Sequence, residues 1–176
     1  MKRLFLLRHA KTEPENPGGD HARVLIERGM SDAALMGRCL KDGGFEPDLV
    51  LCSSSARTRQ TWSIVAPLLG HAPKVEYLDT LYLASTKRIL AIAEGAPDSV
   101  KSLMLIGHNP GIEETSALLA RKPETAEERA NILNMREKFS TGSLAVLDFD
   151  AVSWKHVAPH LGALAAFVRP KFLRND

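Results

Sequence analysis

The sequence predicts a three-layer α/β fold whose sheet is mostly parallel and has an antiparallel edge. Three apolar runs alternate with segments whose apolar residues recur at helical spacing, and two further apolar segments lie close together near the end of the chain. Continuous apolar runs are typical of strands that helices cover on both faces, and two strands joined by a few residues form a hairpin. We expect residues 1–176 to form a single domain, because no repeat or linker divides them.

The strands are predicted from runs dominated by Leu, Val, Ile, Phe and Met. These runs cover residues 4–7, 49–52 and 102–106, and we expect them to form parallel strands joined by helices. Residues 143–149 and 154–158 are predicted as the antiparallel hairpin, with its turn at residues 150–153. A polar stretch rich in Pro and Gly follows the first strand at residues 11–23, which we call the covering loop, since long loops of this kind often lie over a site.

The helices are predicted from helical periodicity and from the glycines and prolines near their ends. In the first helix, Met30, Ala33, Met36 and Leu40 recur at roughly helical spacing before a pair of glycines. The fourth helix begins after a proline and carries two glutamates in its first turn, where the helix dipole favours negative charge. The predicted helices span residues 27–41, 56–69, 86–93, 111–120 and 124–135.

Composition and charge exclude several classes of protein. Hydrophobic residues make up 44% and charged residues 25% of the chain, and its net charge is only +2, with the basic residues scattered. We therefore expect no nucleic-acid partner and no membrane partner. The apolar start is too short for a secretory signal, and no run reaches the roughly 18–20 residues that span a bilayer. Cys39 and Cys52 form no Cys-x-x-Cys pair, which favours a reducing, cytoplasmic location.

Histidines and arginines follow the three parallel strands. Arg8 and His9 come directly after the first run, Arg57 lies just beyond the second, and His108 follows the third. Because the carboxyl ends of parallel strands meet at one edge of a sheet, we expect these four side chains to converge. Two arginines and two histidines around one point suit a phosphoryl group or another oxyanion, since the guanidinium fork matches phosphate geometry.

This set of residues predicts phosphoryl transfer through a covalent phosphohistidine. His9 is the candidate nucleophile, because the positive charges of Arg8 and Arg57 disfavour its protonation and keep its lone pair available. The two arginines would also bind the phosphoryl oxygens in the transition state, and His108 would donate a hydrogen bond to them. No metal or organic cofactor is needed for this chemistry.

Three other readings of the residues are weaker. Cys52 and Arg57 are spaced one residue short of the Cys-x5-Arg loop of cysteine-dependent phosphatases. His156 and His160 are four residues apart, which binds metal on a helix, but they fall in or after a predicted strand and have no arranged acidic or thiol partners. The glycines match neither of the Gly-rich patterns that cradle nucleotides.

Taken together, these motifs resemble the histidine phosphatase superfamily, which includes the phosphoglycerate mutases. Arg8-His9-Ala10 is similar to the family's Arg-His-Gly signature, residues 53–61 to its Ser-x3-Arg-x2-Gln-Thr block, and residues 106–111 to its second histidine block. Within this superfamily, the short chain and a further group of residues resemble those of the SixA-like phosphohistidine phosphatases. That group is Asp20, Arg23, Leu25, Arg28 and Gly29.

The resemblance implies a phosphoglycerate mutase-like fold and a phosphatase without a cofactor. It makes His9 the phosphoacceptor, and Arg8, Arg57 and His108 phosphate-binding residues. Ala10 replaces the signature glycine, a change that would matter if the backbone there had positive φ. Arg23 reaches the pocket from the covering loop or faces solvent; both alternatives stay open.

The substrate class depends on a general acid. Larger members of the superfamily carry an acidic residue after the third strand, and Asp79 is the candidate here, although an alternative alignment puts Thr80 at that position. Without an acid, an alkoxide leaves slowly, whereas the imidazole nitrogen of a phosphohistidine leaves readily. We therefore expect a phosphohistidine-bearing protein as substrate. A small-molecule phosphomonoesterase or mutase, and a non-catalytic phosphate-binding module, are the alternatives.

Overall fold

The computed structural model describes residues 1–174 and contains a six-stranded sheet. The strands lie side by side in the order β3-β2-β4-β1-β5-β6. Their bounds are Lys2–Arg8 (β1), Leu49–Ser53 (β2), Lys74–Leu78 (β3), Ser102–Gly107 (β4), Leu144–Phe149 (β5) and Ala163–Val168 (β6). Strands β1 to β4 are mutually parallel, while β5 pairs antiparallel with both β1 and β6. The prediction of a mostly parallel sheet with an antiparallel edge is therefore confirmed.

Helices cover both faces of the sheet. Their bounds are Glu27–Asp42 (α1), Ala56–Val65 (α2), Thr86–Glu94 (α3), Gly111–Leu119 (α4) and Ala126–Glu137 (α5). Buried side chains of α1 and α2 belong to one apolar cluster, and those of α3, α4 and α5 belong to another. The two clusters make the three-layer α/β/α arrangement expected of this sequence.

Strand β1 shows why the apolar runs are continuous. Leu4 and Leu6 belong to the cluster that α3, α4 and α5 cover, whereas Phe5 and Leu7 belong to the cluster under α1 and α2. All four side chains are fully buried. Successive side chains of a strand point to opposite faces, so a strand with helices on both sides needs an apolar residue at every position.

The sheet brings the carboxyl ends of its central strands to one edge. β1 ends at Arg8, β2 at Ser53 and β4 at Gly107, and the register pairs Arg8 with Gly107. The antiparallel strand β5 begins at the same edge, where the backbone N–H of Gly142 donates to the carbonyl oxygens of Arg8 and His9 at 3.2 and 2.8 Å. This edge therefore gathers residues that are distant in sequence.

The predicted hairpin is wrong in its second strand. Residues 154–156 form a 3₁₀ turn, and the strand that pairs with β5 is Ala163–Val168. Trp154 and Val157, three residues apart, are both buried, as a 3₁₀ turn allows. Residues 154–158 include Trp and Val, which favour strands, whereas β6 is rich in alanine, a weak strand former. The antiparallel edge is real, but it is formed by residues further along the chain.

Within residues 1–174, no helix is both long and apolar enough to cross a membrane.

Gly29 allows α1 to pack directly against the chain that follows His9. A Cβ atom built on Gly29 would lie 2.0 Å from the carbonyl oxygen of Lys11, and the N–H of Ile26 donates to the same oxygen at 3.1 Å. We predict that Gly29→Ala lowers the free energy of unfolding by about 1–3 kcal/mol, because overpacking against backbone exceeds the gain of about 1 kcal/mol in helix propensity. Urea denaturation measures the change.

The control is Ser31→Ala on the exposed side of the same helix, which should change stability by less than about 0.5 kcal/mol. A Gly29→Ala variant as stable as the wild type would show that the contact between α1 and Lys11 is not a constraint.

Candidate active site

His9 lies just beyond β1, and hydrogen bonds to two backbone carbonyls hold it in place. Its N–H donates to the carbonyl of Gly107 at 3.1 Å, and its side chain is almost fully buried, with 7% exposed. The ring atom Nδ1 lies 2.8 Å from the carbonyl oxygen of Ala10. Because a carbonyl oxygen only accepts hydrogen bonds, Nδ1 carries the proton in the neutral ring. The other ring nitrogen, Nε2, therefore has a free lone pair.

Ala10 is fixed by the helix that follows β2. Its N–H donates to Thr61 Oγ1 at 3.0 Å, and that hydroxyl donates to the carbonyl of Arg57 at 2.7 Å. Among the described residues, only Leu83 and His160 have positive φ outside glycine, so alanine at position 10 is unstrained. The departure from the signature glycine therefore carries no backbone penalty here.

Gln60 joins the covering loop to the same helix. Its side-chain oxygen accepts a 2.7 Å hydrogen bond from the N–H of Leu25, just beyond the loop. At the start of α2, Ser55 caps the helix by accepting from the N–H of Thr58. The polar positions of the block at 53–61 thus hold the helix, the loop and the end of β1 in one arrangement.

Arg57 lies in the first turn of α2, and only 3% of it is exposed. Its Nη1 donates to the backbone carbonyl of Asp20 at 2.8 Å, and its Nη2 donates to the Asp20 carboxylate at 3.1 Å. Arg23 binds the other oxygen of that carboxylate at 2.9 Å. The covering loop therefore places a carboxylate between two guanidinium groups at the sheet edge.

His108 follows β4, and its ring is close to that of His9, with 5.4 Å between the ring centroids. Ser53 Oγ lies 2.8 Å from His108 Nε2 and holds the ring in place. Only 3% of His108 is exposed, and its Nδ1 is buried without a hydrogen-bond partner among the described residues. A buried ring nitrogen of this kind is available to an incoming polar group.

Arg8, the last residue of β1, is anchored to a backbone carbonyl. Its Nη1 donates to the carbonyl of Phe139 at 2.9 Å, and Asn109 Nδ2 donates to the same oxygen at 3.2 Å. One carbonyl just beyond α5 thus joins the end of β1 to Asn109, which follows β4. The anchored guanidinium lowers the pKa of His9 through its positive charge.

Burial and positive charge keep both histidines neutral. Burial is the main cause that lowers the pKa of His9 to about 3, and the charges of Arg57, Arg8 and Arg23 lower it further. Burial also lowers the pKa of His108 to about 3, with added repulsion from His9 and Arg57. The sequence predicted only the effect of the arginine charges on the pKa of His9, whereas burial lowers that pKa more.

The site includes residues that the sequence argument did not assign to it. Tyr82 packs edge-on against His108 and against His21, with ring centroids 5.4 and 4.7 Å apart, and its hydroxyl donates to Asp20. The hydrogen bond from Tyr82, followed by that from Arg23, lowers the pKa of the Asp20 carboxyl far below its usual range. Asp20 was noted only for its family resemblance, and nothing in the sequence around Tyr82 indicates its position.

Asp79, the candidate acid, is exposed in the 3₁₀ turn Asp79–Leu81 that follows β3. The aromatic side chain that meets His108 comes three residues later, at Tyr82. Arg23, whose position was open, lies near the site: its Nη2 donates to Thr12 Oγ1 at 2.6 Å, and its charge acts on His9. The covering loop therefore adds a third arginine.

The structure does not support cysteine-based or metal-based chemistry at the positions that the sequence suggested. Burial raises the pKa of the Cys52 thiol to about 12, so the thiolate is strongly disfavoured. His156 ends a 3₁₀ turn and His160 lies beyond it, so the two do not share a helix. Among residues 1–174 there is no group of three or more His, Cys, Asp or Glu side chains placed to hold a metal ion.

Comparison with known proteins places the chain in a family. The profile described as Histidine phosphatase superfamily (branch 1) matches residues 4–82, which include most of β1, the covering loop and α2. An uncharacterized protein of Mycobacterium tuberculosis H37Rv is 32% identical over 165 residues, which cover 94% of this chain and all of that protein.

Solved structures agree over nearly the whole chain. A candidate phosphohistidine phosphatase SixA from Agrobacterium tumefaciens is 32% identical, with a TM-score of 0.76 over 96% of this chain and 98% of that one. A candidate phosphohistidine phosphatase SixA from Nakamurella multipartitia is 29% identical, with a TM-score of 0.80 over 96% of each chain. The chain belongs to the histidine phosphatase superfamily, in its SixA-like branch, and has the phosphoglycerate mutase-like fold.

The two buried histidines should titrate far below an exposed one. In ¹⁵N-resolved NMR, His9 and His108 should remain neutral down to about pH 4, with the His9 proton on Nδ1, because burial lowers both pKa values from 6.5 to about 3. His71 is the internal control: its hydrogen bond to Glu46 raises its pKa above 6.5. If His9 titrated at or above pH 6.5, the assigned protonation state would be wrong.

The lowered pKa values of His9 and His108 also make the stability of the fold depend on pH. Between about pH 3 and 6.5 the unfolded chain binds more protons at these two positions than the folded chain. Their contribution therefore makes the free energy of unfolding fall as the pH falls through this window.

Proposed function

We propose that this protein is a phosphatase that uses His9 as its nucleophile and removes phosphate from phosphohistidine in a protein. The observation that carries this proposal is the neutral, oriented imidazole of His9 beside positive charge. Its Nδ1 is bound to the Ala10 carbonyl, and the buried Arg57 and the partly buried Arg8 and Arg23 are close enough to act on the ring. A neutral imidazole surrounded by guanidinium groups suits attack on a phosphoryl group.

The proposed reaction has two steps. The lone pair of His9 Nε2 forms a bond to phosphorus while the bond from phosphorus to the substrate nitrogen breaks, and that nitrogen departs with the electron pair and takes up a proton from solvent. Water then attacks the phosphorus and loses a proton to solvent, the bond to His9 breaks with its electron pair returning to Nε2, and inorganic phosphate leaves. The hydrogen bond from Nδ1 to the Ala10 carbonyl stabilises the positive charge that the ring gains in the first step.

Arg57 and His108 would bind the phosphoryl oxygens. Arg57 is buried and is already paired with the carboxylate of Asp20, an acceptor with two oxygens that resembles part of a phosphoryl group. His108 has a buried Nδ1 that no described residue binds. We propose that a phosphoryl group competes with Asp20 for Arg57 and takes a hydrogen bond from His108.

The substrate class follows from the leaving group. Asp79 is exposed, and Tyr82, which contacts His108, is a poor proton donor near neutral pH because burial and the Asp20 carboxylate raise its pKa. A site without a strong acid favours a substrate whose leaving atom needs none, and the imidazole nitrogen of phosphohistidine meets that condition. A phosphorylated protein is therefore the proposed partner.

The direct test compares turnover on a phosphohistidine-bearing protein with turnover on a panel of alkyl and aryl phosphates. The proposal predicts the highest kcat/KM for phosphohistidine, intermediate values for activated aryl esters and the lowest for alkyl esters. Efficient hydrolysis of a simple sugar phosphate would indicate a small-molecule phosphatase. Phosphate binding without turnover of any substrate would indicate a binding module.

Replacing the nucleophile should abolish activity. His9→Ala should lower kcat by at least ~10⁴-fold, since no other group can form the covalent intermediate. Circular dichroism and urea denaturation check that the variant folds. Cys52→Ser is the control, because a thiol with a pKa of about 12 is inert, and it should retain most of the activity. Activity that depends on Cys52 and not on His9 would contradict the mechanism.

Removing the carboxyl of Asp79 should have little effect on the preferred substrate. Asp79→Asn should change kcat by less than ~10-fold, whereas loss of a working general acid costs ~10²–10⁴-fold. Steady-state kinetics on phosphohistidine and on an alkyl phosphate measure the change. A large loss, greatest for the alkyl ester, would assign Asp79 as the acid and move the protein to the general phosphomonoesterases.

A further inference from the structure

A concave, strongly basic cavity lies beside the proposed catalytic site. Its volume is about 590 Å³, and it is bordered by the chain after β1, the end of α5 and the residues that follow β6. Seven basic and two acidic side chains line it, a surplus of five positive charges in a chain whose net charge is +2. The rest of the chain is therefore net negative. Arg8 borders both this cavity and the catalytic site.

A buried arginine in this cavity has no strong acceptor. Arg169 is only 5% exposed, and its Nε is buried without a hydrogen-bond partner among residues 1–174. Glu137, its nearest carboxylate, is 3.8 Å from Nη2, beyond hydrogen-bond distance, and is itself mostly exposed. A buried guanidinium without an acceptor is costly, so this arrangement is suited to an anion that completes its hydrogen bonds.

The other acidic residue of the cavity is already engaged. Both carboxylate oxygens of Asp32 accept hydrogen bonds from Arg174, at 2.7 to 3.0 Å. The exposed side chains of Lys138 and Lys171 lie along the same cavity and add charge near Arg169. The positive charge that the two acidic residues of the cavity do not balance is therefore accessible to a ligand.

We propose that this cavity is a second anion site, distinct from the one at His9, that binds small molecules bearing two or more phosphate groups. The volume is that of a small-molecule pocket, whereas a protein surface needs a broader contact. A single phosphate brings at most two charges, so a surplus of five favours a ligand with several. The planar fork of Arg169 matches one phosphoryl group, and Lys138 and Lys171 match its neighbours.

Calorimetric titration with tripolyphosphate tests the proposal. The titrations use Arg57→Gln as the parent protein, because this change removes a guanidinium from the catalytic site and so weakens binding there. One equivalent of tripolyphosphate should still bind to this parent, in the cavity. Adding Arg169→Gln should weaken binding by ~10-fold or more, as expected for loss of a buried charged hydrogen bond. Replacing Lys138 and Lys171 together by Gln should weaken it by at least ~3-fold. Because both lysines are exposed, that variant stays informative even if the Arg169 variant fails to fold.

The matched control is Lys87→Gln, an exposed lysine on α3 across the sheet, which should leave affinity within ~2-fold of the parent. Several results would overturn the proposal. These are loss of binding in Arg57→Gln alone, equal weakening by Lys87→Gln, unchanged affinity in the cavity variants, or equally tight binding of a hexaglutamate peptide, which would indicate a docking surface for an acidic protein.

Discussion

The hydrogen bond between His9 Nδ1 and the Ala10 carbonyl decides which ring nitrogen can react. Much of the surrounding structure holds that carbonyl and that ring. The N–H of His9 is bound to β4 and the N–H of Ala10 to α2, so the turn after β1 is fixed on both sides. The block at 53–61 therefore has two tasks, because Thr61 supports the proposed nucleophile while Arg57 supplies charge. A parallel sheet makes this possible, since it ends β1, β2 and β4 at one edge.

Burial and charge act together at this edge. Removing imidazole from water lowers the pKa of His9, and the surrounding guanidinium groups lower it further. Burying Arg57 carries a cost, which the carboxylate of Asp20 offsets, and the same carboxylate pairs with the partly exposed Arg23. The same carboxylate accepts from Tyr82, so the covering loop and the turn after β3 meet over His108. Polar contacts between loops thus complete a site in which the proposed nucleophile and the buried Arg57 come from the segments that follow the strand ends.

The sequence predicted the residues at the strand ends and only part of what the loops contribute. His9 and His108 each lie one residue beyond an apolar run, so the topology of a parallel sheet was enough to bring them together. Asp20 and Tyr82 approach through irregular chain, where hydrophobic periodicity gives no signal. The second strand of the hairpin failed for a related reason. Trp154 and Val157 favour a strand, but residues 154–156 form a 3₁₀ turn, and the true strand is rich in alanine. The degree of burial, which dominates the histidine pKa values, also requires the folded structure.

The most direct measurement is capture of the covalent intermediate. The protein is mixed with a phosphohistidine-bearing protein, quenched in alkali within a single turnover, and digested for mass spectrometry, which locates the phosphate. The account predicts phosphate on His9, bound through nitrogen and therefore labile to acid, which forms and decays at rates that match kcat. Phosphate on any other residue, or turnover at the full rate without a phosphorylated enzyme, would contradict it.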